Sequence, residues 1–240
     1  MRTVQRKPFY ISASVSCMDL CNLESQIKEV EQSSVSFFHF DVVDGRFNDC
    51  FILGQTTLEK MRPVTALPIE AHLAVYEPEK YIESFAKAGA DYISVHYEAM
   101  QNPLATFDLI RKYGSQPVLA YKCTTEPGDD FISLSREVPM ILKLTVNPGF
   151  SGQKIQIQAI EHIRQMRRML NNAGLTVDIQ ADGNINITTI PLVTQAGANV
   201  LTGGTSGLFT GKKSISENAL DMLRAIKPHI PASKEKKMSH

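Results

Sequence analysis

Short β-type runs recur along the chain, each followed by a stretch with helical spacing. Phe9–Val15, Ser36–Val43, Ile69–Val75 and Tyr92–His96 read as strands in the first half. Between them, residues 22–32 read as a helix with Leu23, Ile27 and Val30 on one stripe and Asn22 as N-cap. Residues 56–61 form a helix stopping before Pro63, and residues 79–88 one ended by Gly89. Residues 103–113 are the fourth helix. The second half repeats the rhythm, with strands at 118–122, 140–146, 177–181 and 200–202. Helices follow at 130–136 (a weak pattern), 156–173, 187–196 and 216–226. The 156–173 helix carries the strongest signal, with Ile160, Ile163, Met166 and Leu170 at helical spacing.

Strand–helix alternation implies a parallel sheet covered by helices. Eight units in 240 residues predict an α/β fold of the single (β/α)8 TIM-barrel type rather than an open doubly wound sheet. The barrel is expected to span residues 1–227. Residues 228–240, with Lys234, Lys236 and Lys237, read as a flexible polar tail.

Composition adds exclusions. Lys+Arg and Asp+Glu are equal at 25 each, so the net charge is zero, which argues against a nucleic-acid or membrane-surface partner held by electrostatics. No apolar run approaches the ~18 residues of a membrane helix, and residues 1–8 lack the apolar stretch of a signal peptide. Cys17 and Cys21 are spaced C-x3-C without a second pair, so free thiols in a reducing cytoplasm are a better reading of Cys17, Cys21, Cys50 and Cys123 than structural zinc.

In such a barrel chemistry collects at the C-terminal ends of strands. His39 and Asp41 share one side of the second strand, His72 and Glu70 one side of the third, and His96 ends the fourth. The seventh strand runs into Asp182-Gly183-Asn184. A lone strand histidine is usually a hydrogen-bonded structural residue, and an Asp before Gly a turn former. Four such residues at one barrel mouth, His39, Asp41, His72 and Asp182, instead suit one divalent cation: zinc, iron, manganese or cobalt. The Gly-containing segments after the last three strands let backbone N–H groups approach an oxyanion, and Ser206–Phe209 is placed as a short helix beside them.

Over Phe9–Phe209 the chain resembles the ribulose-phosphate 3-epimerases. The matching segments are Ser14, His39-Phe40-Asp41-Val42-Val43-Asp44-Gly45, His72-Leu73, Val95-His96-Tyr97-Glu98, the run from Val146 to Gln153, and Asp182-Gly183. The resemblance implies an isomerase acting on a ketose phosphate, with the metal on His39, Asp41, His72 and Asp182. Asp41 and Asp182 would form the acid/base pair. Gly149, Phe150, Ser151, Gly152, Gly183, Asn184, Gly204 and Thr205 would hold the phosphate, His72 would also touch substrate, and Ser14 would orient Asp41 or the substrate. A homo-oligomer, dimer or hexamer, is implied as well.

The sequence also departs from the family. Val43, Ala74 and Thr145 stand where methionines are expected beside the reaction plane, Asn48-Asp49-Cys50-Phe51 replaces a Val-Pro-Asn segment, and Asn184 replaces a glycine. Cys17-Met18-Asp19-Leu20 and Gly204–Phe209 look closer to the allulose-6-phosphate 3-epimerase branch. The activity expected is metal-dependent C3 epimerisation of the ribulose 5-phosphate type. The alternatives are a hexulose-phosphate epimerase and a sugar-phosphate binder without turnover.

Overall fold

A computed structural model describes residues 1–4, 7–147 and 152–227. The expected tail, and Gly149, Phe150 and Ser151, lie outside the described residues. The described residues form nine strands: β1 (Tyr10–Ser14), β2 (Phe37–Asp44), β3 (Phe51–Ile52), β4 (Ile69–Ala74), β5 (Tyr92–His96), β6 (Gln116–Tyr121), β7 (Met140–Leu144), β8 (Asp178–Asp182) and β9 (Val200–Gly203). Eight pair in parallel, and the β1–β2 ladder closes them into a barrel. β3, which the hydrophobic pattern does not suggest, adds an antiparallel edge to the end of β2.

Among the described residues eight α-helices surround the barrel: α1 (Leu23–Glu31), α2 (Gln55–Met61), α3 (Glu79–Ala88), α4 (Pro103–Lys112), α5 (Phe131–Ser135), α6 (Ile157–Asn172), α7 (Ile190–Ala196) and α8 (Ile215–Arg224). Local chemistry explains their ends. Asn102 caps α4 ahead of Pro103, Ser214 and Glu217 form a reciprocal capping box on α8, and Gly89 and Gly197 close α3 and α7 in the left-handed conformation. Asn22 precedes α1 as expected, but its side chain makes no cap; it donates to Asp19 Oδ2 at 2.8 Å instead. α7 begins later than the expected residue 187, because Asn186 Oδ1 accepts from the backbone of Thr188 and holds a turn there. Ser206–Phe209 is a turn, not the expected helix: the N–H groups of Gly207, Leu208 and Phe209 all point at the carbonyl of Gly204, so no ladder propagates.

Alternation along each strand divides the core in two. Outward residues such as Ile11, Phe38, Phe40, Ile93 and Ile179 are buried under the helices. Inward residues form tiers. Tyr10, Phe37, Tyr92, Met140 and Val200 fill the N-terminal end with apolar groups. Above them lies a buried polar tier of Ser12, His39, Glu70, Ser94, Gln180 and Thr202. The third tier opens at the strand C-termini and carries the candidate site.

Candidate metal and acid–base site

Parallel register sets the site. β2 and β4 align His39 with Glu70 and Asp41 with His72, and β1 brings Ser14 beside His39. β8 adds Asp182 across the lumen, level with Leu144 of β7. One ligand atom from each of His39, Asp41, His72 and Asp182 lies within 4.8 Å of all the others.

Hydrogen bonds fix where the lone pairs point. Glu70 is fully buried, and its Oε2 lies 2.6 Å from His39 Nδ1. The same carboxylate accepts from Ser94 Oγ and, at 2.9 Å, from Gln180 Nε2. Burial pushes the Glu70 pKa up, but His39 and these donors outweigh it and hold it below the usual range. Glu70 is therefore ionised and accepts a hydrogen bond from His39 Nδ1–H. His39 Nε2 is left facing Asp41 Oδ1 at 3.0 Å and Asp182 Oδ2 at 3.6 Å.

His72 Nδ1 lies 3.1 Å from the same Asp41 oxygen, and its Nε2 turns away to His96 Nε2 at 2.9 Å. Burial pushes His96 down to about 4, so this ring is neutral near pH 7. Asp41 Oδ2 accepts from Ser14 Oγ at 3.0 Å and Ser16 Oγ at 2.9 Å.

The electrostatics call for a cation. Burial disfavours a charged His39, yet Asp41, Glu70 and Asp182 together raise its pKa well above the ordinary value. Burial likewise works against ionised Asp41, and His39 and His72 hold its pKa well below the usual range. Two carboxylates and two ring nitrogens converging with this field form a donor set for a divalent cation of the borderline type, with Glu70 supplying the outer carboxylate such ligating histidines commonly have.

The site opens into a cavity of about 440 Å³. Of the residues expected to bind substrate, Ser14, His72, Gly152, Gly183, Asn184, Gly204 and Thr205 all line it, as do Asp41 and Asp182. His39 is buried beneath. No Lys or Arg is among the described lining residues, so oxyanion donors there are uncharged: backbone N–H, hydroxyl and side-chain amide groups. Gly152, Gly183 and Asn184 all have positive φ (82°, 114° and 51°). Asparagine can replace glycine at residue 184 because it tolerates the left-handed region. At Gly183 a Cβ would also lie 2.5 Å from Val146 Cγ2.

One expectation is corrected. Val43 and Ala74 line the cavity, but Thr145 does not; Leu144 stands there instead. Inward and outward positions alternate, so Thr145 points to the outside of the barrel, where its hydroxyl donates to the carbonyls of Asp182 at 2.9 Å and Gly183 at 2.5 Å. Ser16 joins the site without a motif to announce it. Its only signal is its place two residues after Ser14, in the turn that ends β1.

Comparison with known proteins agrees with this geometry. Residues 10–209 match the ribulose-phosphate 3 epimerase family. Ribulose-phosphate 3-epimerase of Bacillus subtilis is 38% identical over 86% of this chain and 96% of its own length. That of Methanocaldococcus jannaschii is 34% identical over 89% of this chain and 92% of its own. The solved structure of KGPDC from Streptococcus mutans superposes with a TM-score of 0.67 at 12% identity, covering 91% of this chain and 97% of its own, which shows the shared barrel. Among the described residues no helix is long and apolar enough to cross a membrane. With the motif run, the barrel and these relatives in agreement, the chain belongs to the ribulose-phosphate 3-epimerase family, whose members are carbohydrate isomerases.

Proposed function

We propose that this chain inverts C3 of a ketose phosphate, interconverting D-ribulose 5-phosphate and D-xylulose 5-phosphate. The observation that carries the reading is the placement of Asp41 and Asp182 on strands from different sides of the lumen, both bordering one cavity. Inversion removes the C3 proton, which is acidified by the neighbouring C2 carbonyl, and returns a proton to the opposite face of a planar enediolate. Two carboxylates flanking that plane are what this needs, each worth about 10²–10⁴-fold as acid or base. Asp41, held ionised by two imidazoles and two hydroxyls, accepts the proton of one epimer. Asp182 delivers from the other side, and the roles exchange in reverse.

His39, Asp41, His72 and Asp182 would hold the divalent metal, which when bound supplies Lewis-acid stabilisation of the charge developing on the substrate oxygens. Ser14 and Ser16 orient Asp41 through its second oxygen. Gly152, Gly183, Asn184, Gly204 and Thr205, with Gly149, Phe150 and Ser151, would take the phosphate on backbone donors. A Cβ at Gly204 would lie 3.2 Å from Cys17 Sγ, so Gly204→Val should raise KM for the phosphorylated sugar.

A six-carbon substrate is the second reading. It is favoured by the short side chains of Val43 and Ala74 on the cavity wall. A panel of five- and six-carbon ketose phosphates, run in D2O with each of the four metals, tests both readings. Epimer formation with deuterium at C3 is expected, and the best substrate assigns the carbon number. Binding of ketose phosphate without C3 exchange on any member would leave a binding protein and sink the epimerase reading.

A further inference from the structure

The two histidines of the cluster are supported differently. His39 donates its outer N–H directly to the Glu70 carboxylate. His72 meets a second imidazole, and that imidazole meets a carboxylate. His96 Nε2 lies 2.9 Å from His72 Nε2, and His96 Nδ1 lies 3.2 Å from Glu98 Oε2. The other Glu98 oxygen accepts from the backbone N–H of Lys122 at 2.8 Å, which anchors the carboxylate to the end of β6. The Phe47 ring packs against His96 with centroids 4.6 Å apart.

Two ring nitrogens 2.9 Å apart can share only one proton, and Glu98 decides which ring provides it. An ionised carboxylate accepts and cannot donate, so the proton of a neutral His96 sits on Nδ1. Nε2 of His96 then has only a lone pair, and it accepts from His72 Nε2–H. That arrangement leaves the His72 lone pair on Nδ1, the atom that faces Asp41 Oδ1 at 3.1 Å.

We propose that His96 and Glu98 are positioning residues that set the His72 tautomer, so that Nδ1 is presented to the cluster as a ready-made metal ligand. Neither residue is among the four whose ligand atoms converge. The proposal rests on the reading of those four as a metal site. An outer partner of this kind typically contributes 10–100-fold in metal affinity. Passing the carboxylate's effect through a neutral ring also makes His72 the less electron-rich of the two imidazole ligands, since His39 has a full anion 2.6 Å from its outer nitrogen.

The test is zinc affinity, measured by calorimetry with a competing chelator, in the parent chain and three variants whose fold is checked by circular dichroism. His96→Phe keeps a ring against Phe47 but removes the acceptor, and should weaken zinc binding by about 10–100-fold. His96→Gln restores a carbonyl acceptor and should recover most of the loss. Glu98→Ala, acting from a partly exposed residue, should weaken binding by up to about tenfold, and stands in for His96→Phe if that variant does not fold. Nitrogen-15 spectra of the zinc-loaded parent should place the His96 proton on Nδ1. Unchanged zinc affinity in a folded His96→Phe variant, or in Glu98→Ala where His96→Phe does not fold, overturns the proposal while leaving the metal site standing. A His96 proton on Nε2 does the same. A parent chain that takes up no zinc, manganese, cobalt or ferrous iron overturns the metal reading and this proposal with it.

Discussion

The two halves of the cavity are held by opposite means. On the β2–β4–β5 side, support comes from inside the lumen: Glu70, Ser94 and His96 are buried side chains that orient other side chains, and Gln180 reaches across from β8 to donate to Glu70. On the β7–β8–β9 side it comes from outside. Thr145, just past β7, projects outward and grips the backbone carbonyls of Asp182 and Gly183, while Lys143 of β7 grips those of Lys122 and Thr125 in the segment after β6. The first half fixes protons and lone pairs, which a cation needs. The second fixes backbone conformation, which an oxyanion needs. Damage to one half should therefore leave the other's ligand largely untouched.

The largest effect should come where the halves meet. Asp182→Asn should keep the barrel and lose epimerisation by about 10²–10⁴-fold. With Asp41 intact, one epimer should still exchange its C3 proton with solvent, which deuterium incorporation followed by mass spectrometry would reveal. The same asymmetry should appear with Asp41→Asn from the other epimer. Near-parent turnover in either variant would end the two-carboxylate mechanism.

Glu70→Ala separates the halves from the lumen side. It leaves His39 Nδ1–H and the Ser94 hydroxyl without their acceptor, and metal affinity should fall about 10–100-fold. The affinity of the metal-free protein for inorganic phosphate should change little. A parallel loss of phosphate binding would show that the halves are one cooperative unit.

Thr145→Val is the mirror experiment. Each lost hydroxyl bond is worth about 1 kcal/mol, so KM for a phosphorylated ketose should rise by up to about tenfold. Zinc affinity should stay within about twofold, within the scatter left by one neutral bond outside the cluster. A larger drop in zinc affinity than in substrate affinity would reverse the assignment of Thr145 to the oxyanion half.

The smallest effect is a pH slope. Burial of Lys143 lowers its pKa from 10.5 to about 8. The unfolded chain thus holds that proton from pH 10.5 downward, whereas the folded chain takes it up only near pH 8. Between those values the unfolded state binds more protons, so this residue makes stability rise with pH, by at most about 1.4 kcal/mol per unit, and it contributes no slope below that window. The melting temperature of Lys143→Met relative to the parent should accordingly fall by about 2–4 °C per pH unit between about pH 8 and 10. A constant difference across that range would mean that the buried ammonium keeps its ordinary affinity for the proton.

Much of this architecture was legible from residue order. The strand–helix rhythm implies the barrel because apolar alternation and helical spacing are local properties. The pairing of His39 with Asp41, and of Glu70 with His72, follows from strand parity alone. Parity also bears on Thr145: counted from Met140, Leu144 faces in and Thr145 out, so a motif position taken without counting along the strand lands on the wrong side of the sheet. The turn at Ser206–Phe209 and the added edge strand β3 were not legible, since each depends on where one carbonyl or one strand end lies in space. The same holds for the proton arrangement. That His39 and Glu70 are neighbours needs register between strands more than thirty residues apart, and that His72 answers to Glu98 through His96 needs β4 and β5 side by side. Local sequence sets which face a side chain takes, because backbone geometry repeats every two or 3.6 residues. It does not say which nitrogen carries a proton, because that is settled by whichever donor or acceptor the folded chain brings within about three ångströms.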